Sequence, residues 1–135
     1  SEGAELVAGG SAVDDDAGYF VRPTIFDRVS VRSTLATEEV FGPVLAVIRW
    51  DDEEQMIDDV NSLRYGLTGS VCSKDFWRAQ RMVHRIDSGH VWINDASTHF
   101  IGVPFGGYKD SGVGREESWE ELLSYSQLKA VNVRL

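Results

Sequence analysis

This sequence has only one cysteine, and it lacks long apolar runs and a secretion signal. Its 135 residues contain one cysteine, Cys72, so the chain cannot form an internal disulfide, as is common in reducing compartments. No apolar run approaches the roughly 18 residues that a membrane helix requires, and the first residues lack the charged and apolar regions of a signal peptide. We therefore predict a cytoplasmic protein without a membrane partner.

Clusters of basic residues are also missing. The chain has 13 lysines and arginines against 22 aspartates and glutamates, which gives a formal net charge of −9 at pH 7. Because phosphate backbones are bound by clustered positive charge, we predict no nucleic-acid partner. The excess of acidic residues is interpreted as a solvated surface.

The residues that are present predict a folded α/β protein. Hydrophobic residues make up 42% of the chain and charged residues 26%, which is close to the average of soluble globular proteins. Apolar runs at residues 44–50, 67–72 and 90–94 predict strands, and helical spacing of apolar residues predicts a helix in each interval. Strand, helix and strand joined by short connections predict a parallel sheet with right-handed crossovers.

The predicted boundaries of these two helices come from polar and glycine residues. Asp51 and Asp52 supply the start of the first helix, and Ser73 or Asp75 caps the second. The pairs Tyr65-Gly66 and Ser88-Gly89 are expected to end them.

Both ends of the sequence are less regular. Strands are predicted around residues 5–8 and 19–26, separated by a loop that contains the run Asp14-Asp15-Asp16. A last helix is predicted from Arg115, with Glu116 and Glu117 in its first turn and a buried face formed by Trp119, Leu122 and Leu123. Residues 129–135 alternate between apolar and polar, which predicts a strand that pairs with its own sheet or with a neighbouring subunit.

The single thiol and the three histidines give few candidates for chemistry. Cys72 lies at the end of a predicted strand with no histidine or helix start nearby in sequence, so it is interpreted as a buried apolar residue and not as a nucleophile. The histidines are too scattered for a metal site. His84 and His90 are assigned surface or cap roles, and His99, which lies in the glycine-rich stretch 95–114, is kept as a site candidate.

Two further segments invite a binding role. The glycines of 95–114 fit neither a P-loop nor a dinucleotide fingerprint, because Tyr108 and Glu117 stand where lysine and glycine are needed. They indicate instead that the backbone passes close to another surface, either a ligand or another loop. In the segment EEVFGP (38–43), acids and an aromatic precede a strand, and the segment either flanks a flat polar ligand or forms a packed turn.

Several motifs in the same order resemble the aldehyde dehydrogenase superfamily. They are GYFVRPT (18–24), EEVFGP (38–43), YGL (65–67), VWIN (91–94) and PFGGYKDSGVGRE (104–116), and the collinear match covers essentially all 135 residues. The resemblance implies that the chain is the C-terminal part of the catalytic domain, with residues 1–128 belonging to that domain and residues 129–135 forming an oligomerisation strand.

The resemblance also implies roles for single residues. Glu39 is similar to the carboxylate that hydrogen-bonds the nicotinamide ribose of NAD or NADP, and Phe41 to the aromatic that packs on the nicotinamide. Phe105 resembles the aromatic of the aldehyde channel, and residues 95–99 the variable loop at its mouth. Asp95 in that loop favours a cationic aldehyde, whereas Ser97 and His99 favour a small polar one, and both possibilities stay open.

The implied reaction oxidises an aldehyde to a carboxylic acid through a cysteine thiohemiacetal and thioester. Its nucleophile and base lie upstream of the motifs present here, and Cys72 lacks the context of that nucleophile. We therefore expect a fragment of a homo-oligomeric enzyme that is inactive by itself. Two alternatives are an autonomous binding or assembly module that keeps the fold without catalysis, and a segment of a larger bifunctional dehydrogenase.

Overall fold

The computed structural model describes residues 2–12 and 18–135, and the chain forms two compact units, Ser1–Asp59 and Val60–Leu135. The aspartate run 14–16, predicted to lie in a surface loop, falls outside the described residues. The predicted division at residue 128 is not tested by this partition and stays a prediction. In the part of the chain that the structure describes, no helix is both long and apolar enough to cross a membrane.

The first unit is built on a three-stranded sheet in the order β1-β2-β3, formed by β1 (Glu5–Ala8), β2 (Thr24–Asp27) and β3 (Val44–Ala46). β1 pairs with β2 in antiparallel and β2 with β3 in parallel register. Two strands of this sheet, β2 and β3, are shorter than the predicted strands 19–26 and 44–50. β2 begins directly after Pro23, which has no N–H to donate to a ladder, and it ends before Arg28, whose φ of 53° is left-handed.

Thr24 ties the corner of this sheet. Its side chain is 5% exposed, and its hydroxyl donates to the carbonyl of Arg22 at 2.8 Å and accepts from the N–H of Gly10 at 2.9 Å. Its own N–H donates to the carbonyl of Pro43 at 2.8 Å. The threonine thus fixes the segment that follows the proline against the turn before β3.

Two helices complete the first unit. The short helix α1 (Thr34–Thr37), which was not predicted, is stabilised at its start by Glu2, whose carboxylate accepts from the Thr34 N–H at 2.8 Å. The predicted helix α2 (Glu53–Asn61) begins as expected, since Asp52 accepts from the Gln55 N–H at 2.9 Å, and the unit boundary falls in its last turn. It buries Ile57 and ends at Asn61, earlier than predicted.

In the second unit, a strand, a helix and a strand form a parallel pair as predicted, but the predicted third strand of that sheet, β3, pairs with β2 instead. β5 (Thr68–Val71) pairs in parallel with β6 (His90–Ile93), and α3 (Phe76–Val83) connects them. Of the two predicted caps, Asp75 is the N-cap, and its carboxylate accepts from the Arg78 N–H at 3.0 Å. The buried side chains here are Val71, Ala79 and Met82.

A second, antiparallel pair joins β4 (Tyr65–Gly66) to β7 (Tyr108–Lys109). Tyr65-Gly66 is therefore a strand and not the end of a helix, because the ladder to Tyr108 holds it extended. The Gly66 N–H also donates to the hydroxyl of Ser111 at 2.9 Å. This pair brings the glycine-rich stretch back to the start of the unit.

The predicted burial of Cys72 and the predicted start of the last helix are wrong. Cys72 is exposed because β5 ends one residue earlier, at Val71. Helix α4 (Trp119–Ser124) begins later than Arg115, because Glu116 is held extended by two backbone hydrogen bonds to Phe105 and Glu117 has a left-handed φ of 61°.

Helix α4 also differs from its prediction in burial and in first-turn charge. Its expected buried residues Trp119, Leu122 and Leu123 are all exposed in this chain. Glu120 and Glu121 occupy its first turn. The hydroxyl of Ser118 donates to the Glu120 carboxylate at 2.6 Å, and this hydrogen bond lowers the pKa of Glu120.

Residues 129–135 are exposed, and within the described chain they pair with no strand. The alternative in which they return to their own sheet is therefore not observed here. Their pairing with a neighbouring subunit stays a prediction.

Two glycines of the irregular stretch, Gly106 and Gly107, lie against other parts of the protein. A Cβ built on Gly89 would lie 1.8 Å from the carbonyl oxygen of Gly106, and one on Gly107 would lie 2.5 Å from the Cβ of Ser111. Of the two surfaces that the sequence left open, another part of the chain accounts for these two. The other three glycines of the stretch have left-handed φ values and nothing within 4 Å of an added Cβ: Gly102, Gly112 and Gly114. Residues Gly89 and Gly106 form a backbone contact that no side chain can enter.

Replacing Gly89 by alanine should therefore be costly. The added methyl group meets a backbone carbonyl, which cannot rotate away, so we expect a loss of about 3 kcal/mol in the free energy of unfolding of the intact protein. A matched control is Gly69→Ala, whose new Cβ would have its nearest neighbour at 3.4 Å, in ordinary contact. Denaturant unfolding compares the two variants, and equal midpoints would contradict the importance of the contact.

Candidate functional site

The loop between α1 and β3 presents the first group of predicted site residues. Glu38 ends α1 and its N–H donates to the Thr34 carbonyl at 2.9 Å. Beyond it, Glu39 is exposed, and Phe41 has a left-handed φ of 52° with a side chain that is 93% exposed. The following Pro43 is anchored through its carbonyl to Thr24. The segment is thus a turn that directs an acid and an aromatic outward, two residues apart.

A cavity of about 600 Å³ lies beside this loop, and its wall includes Ser33, Glu38, Glu39 and Val40. This volume falls in the usual range of small-molecule sites, which is about 300–1,000 Å³. A carboxylate accepts hydrogen bonds from hydroxyl groups, and an aromatic face packs on a flat ring. Both groups are accessible in this chain; Glu39 lines the cavity, and Phe41 stands two residues further along the loop.

The second group lies in the other unit and is centred on β6. Because side chains alternate along a strand, His90 and Trp92 project from the same face. Their ring centroids are 4.6 Å apart. Phe105 lies 5.4 Å from His90, and His99 lies 4.6 Å from Phe105 and 5.9 Å from His90. We call these four residues the aromatic cluster.

Hydrogen bonds fix the rings of the aromatic cluster. The indole N–H of Trp92 donates to the carbonyl of Thr98 at 2.8 Å, and Nδ1 of His90 lies 3.3 Å from the carbonyl oxygen of Pro104. Nδ1 of His99 lies 2.9 Å and 3.0 Å from the two carboxylate oxygens of Glu117. The polar edges of the cluster are therefore held by the chain itself.

Phe105 owes its position to the strand-like pairing of its backbone. Its N–H donates to the Glu116 carbonyl at 3.0 Å, and the Glu116 N–H donates back at 2.7 Å. The guanidinium of Arg115 donates to the carbonyls of Gly107 at 3.1 Å and Gly114 at 2.6 Å, which closes the loop on the other side. Phe105 also lines a cavity of about 660 Å³ together with Leu67 and Tyr125.

The loop after β6 carries the remaining predicted residues. It starts at Asn94, whose amide accepts from the Ser73 N–H at 2.7 Å and donates to the Ser73 carbonyl at 3.0 Å. Asp95 is exposed and its carboxylate accepts from the Ala96 N–H at 2.8 Å. Ser97 is exposed with a left-handed φ of 62°. Of the predicted channel residues, the structure brings His99 and Phe105 into ring contact, while Asp95 and Ser97 lie on the same loop.

Three members of this site were not predicted as such. His90 and Trp92 stand at alternate positions of β6, and the other members of the cluster, His99 and Phe105, were candidates. The alternation of side chains along a strand could therefore have indicated that His90 and Trp92 share a face. Glu117 was assigned to the first turn of a helix. Nothing in the 18-residue separation between His99 and Glu117 signals their contact, because it depends on how the loop folds back.

Comparisons with known proteins give a consistent result. The sequence profile of the aldehyde dehydrogenase family matches residues 1–131. Aldehyde dehydrogenase tropH of Talaromyces stipitatus is 50% identical over 140 residues, covering 99% of this chain and 27% of that protein. The betaine aldehyde dehydrogenase of Rhizobium etli is 45% identical over 135 residues, covering 98% of this chain and 28% of that protein.

Solved structures agree in fold. A mutant of the P. syringae indole-3-acetaldehyde dehydrogenase AldA, in complex with NAD+ and IAA, superposes with a TM-score of 0.92 at 38% identity, covering 99% of this chain and 27% of that one. A Mycobacterium tuberculosis aldehyde dehydrogenase complexed with NAD+ gives 0.87 at 43% identity, covering 93% and 26%. The chain thus spans little more than a quarter of the length of the proteins that it matches.

Proposed function

The chain belongs to the aldehyde dehydrogenase family, and from this premise we propose that it is part of an enzyme that oxidises an aldehyde to a carboxylic acid with NAD+. The observation that carries the proposal is the loop of Glu39 and Phe41, an exposed acid and an exposed aromatic beside a ligand-sized cavity. The choice of NAD+ over NADP+ rests on the solved relatives, which are complexes with NAD+. An autonomous module without catalysis is disfavoured, since Glu39, Phe41 and Phe105 are all retained.

On this proposal, Glu39 and Phe41 hold the nicotinamide end of the cofactor. The Glu39 carboxylate accepts hydrogen bonds from the ribose hydroxyls, and the Phe41 ring packs against the nicotinamide and restricts its rotation. Bound NAD+ supplies the hydride acceptor. The contribution of these two residues is orientation, because a hydride is transferred only when donor and acceptor are held in contact.

The aromatic cluster is proposed to contact the aldehyde substrate. Phe105 and His99 are its channel-facing members, and Asp95 and Ser97 belong to the loop at the mouth. Two substrate classes are represented by name among the relatives, a cationic one in betaine aldehyde and an aromatic one in indole-3-acetaldehyde. The alternatives of a cationic and a small polar aldehyde that the loop residues suggest are therefore both proposals.

Replacing Glu39 by glutamine should slow hydride transfer. Glutamine keeps the size of the side chain but loses the charge that strengthens its hydrogen bonds to hydroxyl groups, so kcat is expected to fall about 10-fold. The measurement is steady-state kinetics of the full-length enzyme with aldehyde and its C1-deuterated form. A larger isotope effect on kcat identifies hydride transfer as the slowed step.

An acid outside the cavity gives the control for that experiment. Glu54→Gln changes the same functional group on helix α2, away from the cavity wall, and should leave the isotope effect unchanged. Kinetics of Glu39→Gln that match those of the parent enzyme would show that the ribose assignment is wrong.

Cys72 is proposed not to be the nucleophile of the reaction. It lies directly after β5 and is exposed, in a segment that lacks the family's nucleophile context. The reacting cysteine is then contributed by a part of the enzyme outside these 135 residues.

The corresponding prediction concerns the thiol alone. Full-length enzyme with Cys72→Ser should keep kcat within about 2-fold, because surface substitutions of this kind have small effects. The 135-residue chain alone should reduce no NAD+ with any aldehyde, although it contains Cys72. Loss of activity in the serine variant, or turnover by the chain alone, would refute this assignment.

The segment 129–135 is proposed to pair with a neighbouring subunit in a homo-oligomer. The supporting observation is that Val131, Val133 and Leu135 alternate with polar residues and are exposed in this chain, which leaves an amphipathic strand without a covered face.

Charges on the apolar side of this segment should reduce the oligomer. We expect Val131→Lys combined with Val133→Lys to lower the molar mass measured by light scattering on the eluting full-length protein, because lysines block strand pairing. The matched control is Asn132→Lys combined with Arg134→Lys, on the alternate side. The same mass for both double variants would exclude this segment from the interface.

A further inference from the structure

The His99–Glu117 pair has a geometry that determines which imidazole nitrogen is offered to a ligand. A carboxylate only accepts hydrogen bonds, so the Nδ1 that lies 2.9 Å from Glu117 Oε1 must carry the proton. Within residues 2–12 and 18–135, Nε2 of His99 has no hydrogen-bond partner. The pair therefore leaves one defined polar atom of His99 for an incoming group.

That polar atom stands on an aromatic surface. The His99 ring is 4.6 Å from Phe105 and 6.0 Å from Trp92, and it lies nearly parallel to His90, at an angle of 10°. Aromatic rings prefer offset or edge-to-face contacts with other rings. A flat aromatic ligand is the chemistry that such a surface fits best.

Glu117 is engaged by the chain and is a poor site for a cation. Both of its carboxylate oxygens lie within 3.0 Å of His99 Nδ1. Its side chain is 33% exposed and that of His99 37%, so the charge is partly covered. A cationic ligand gains most from a carboxylate that has no partner within the protein. The Glu117 carboxylate already has such a partner, His99.

Main-chain hydrogen bonds anchor the same loop beside the His99–Glu117 pair. The Gly102 N–H donates to the backbone carbonyl of Glu117 at 2.7 Å, and Phe105 and Glu116 exchange two backbone hydrogen bonds. These contacts fix the loop to the segment before α4 and hold Glu117 beside His99.

We infer that His99, positioned by Glu117, determines specificity for aromatic aldehydes that carry a ring hydroxyl. This inference rests on the proposed function and names its substrate class. With the ring proton of His99 on Nδ1, its Nε2 accepts the hydrogen of the ring hydroxyl.

The test compares meta-hydroxybenzaldehyde with benzaldehyde, which differ only in the hydroxyl group, and a meta hydroxyl is not conjugated with the carbonyl. The full-length enzyme should show a kcat/KM for the hydroxylated aldehyde about 10-fold higher, which is the size of one partly exposed hydrogen bond. His99→Phe keeps a ring in the cluster and removes both nitrogens, so the ratio should fall to about 1 through a rise in KM for the hydroxylated aldehyde alone.

Variants at Glu117 distinguish a role in positioning the His99 ring from a purely structural role. Glu117→Leu releases Nδ1 and should also lower the ratio, whereas Glu117→Gln keeps an oxygen that accepts from Nδ1 and should restore most of it. Glu120→Gln, which changes a carboxylate whose partner is Ser118, is the control and should leave the ratio unchanged. If His99→Phe does not fold, the Glu117→Leu and Glu117→Gln variants test the inference by themselves.

Each remaining outcome counts against the inference. An equal loss for both benzaldehydes in the variants would mean a purely structural pair, and a preference of the parent enzyme for betaine aldehyde over both benzaldehydes would mean that the site selects a cation and not a ring hydroxyl. Oxidation of propanal with no preference between the benzaldehydes overturns the inference and leaves the proposed function intact. No NAD+ reduction with any of these aldehydes overturns both.

Discussion

The close approach of two glycine backbones underlies the aromatic cluster of the second unit. Gly89 immediately precedes β6, and Gly106 immediately follows Phe105. Because a side chain at position 89 would collide with the Gly106 carbonyl, the two segments can lie in contact only with glycine at that position. Their neighbours His90 and Phe105 are consequently brought to a ring separation of 5.4 Å. The aromatic cluster is thus a product of a contact in which no side chain takes part.

Elements with local signals could be predicted from the sequence, and elements set by distant contacts could not. The helix α3 has an aspartate cap and apolar residues at helical spacing, so its start was accessible. The start of α4 depends on the pairing of Glu116 with Phe105, which is eleven residues away by number, and the local charge pattern was misleading there. Cys72 was misjudged because one residue at a strand end separates a buried position from an exposed one.

The roles of single residues divide in the same way, into those indicated by a local motif and those set by distant contacts. Glu39, Phe41 and Phe105 were accessible because they lie within motifs. The left-handed backbone at Phe41, Ser97 and Glu117 was not, since none of these residue types favours that conformation, which costs roughly 1–2 kcal/mol for a side-chain-bearing residue. At Glu117 the surrounding hydrogen bonds, from Gly102 and between Phe105 and Glu116, connect segments that are well apart in sequence. The partnership of His99 with Glu117 belongs to this second kind.

The double anchoring of the loop after β6 has a consequence for diversity within the family. One end is fixed by the Asn94 amide on Ser73, and the other by the pairing of Phe105 with Glu116. Neither anchor uses a side chain from residues 95–104. A side chain of that segment can therefore be replaced without removing either anchor, so its chemistry can differ while the two ends of the loop stay fixed.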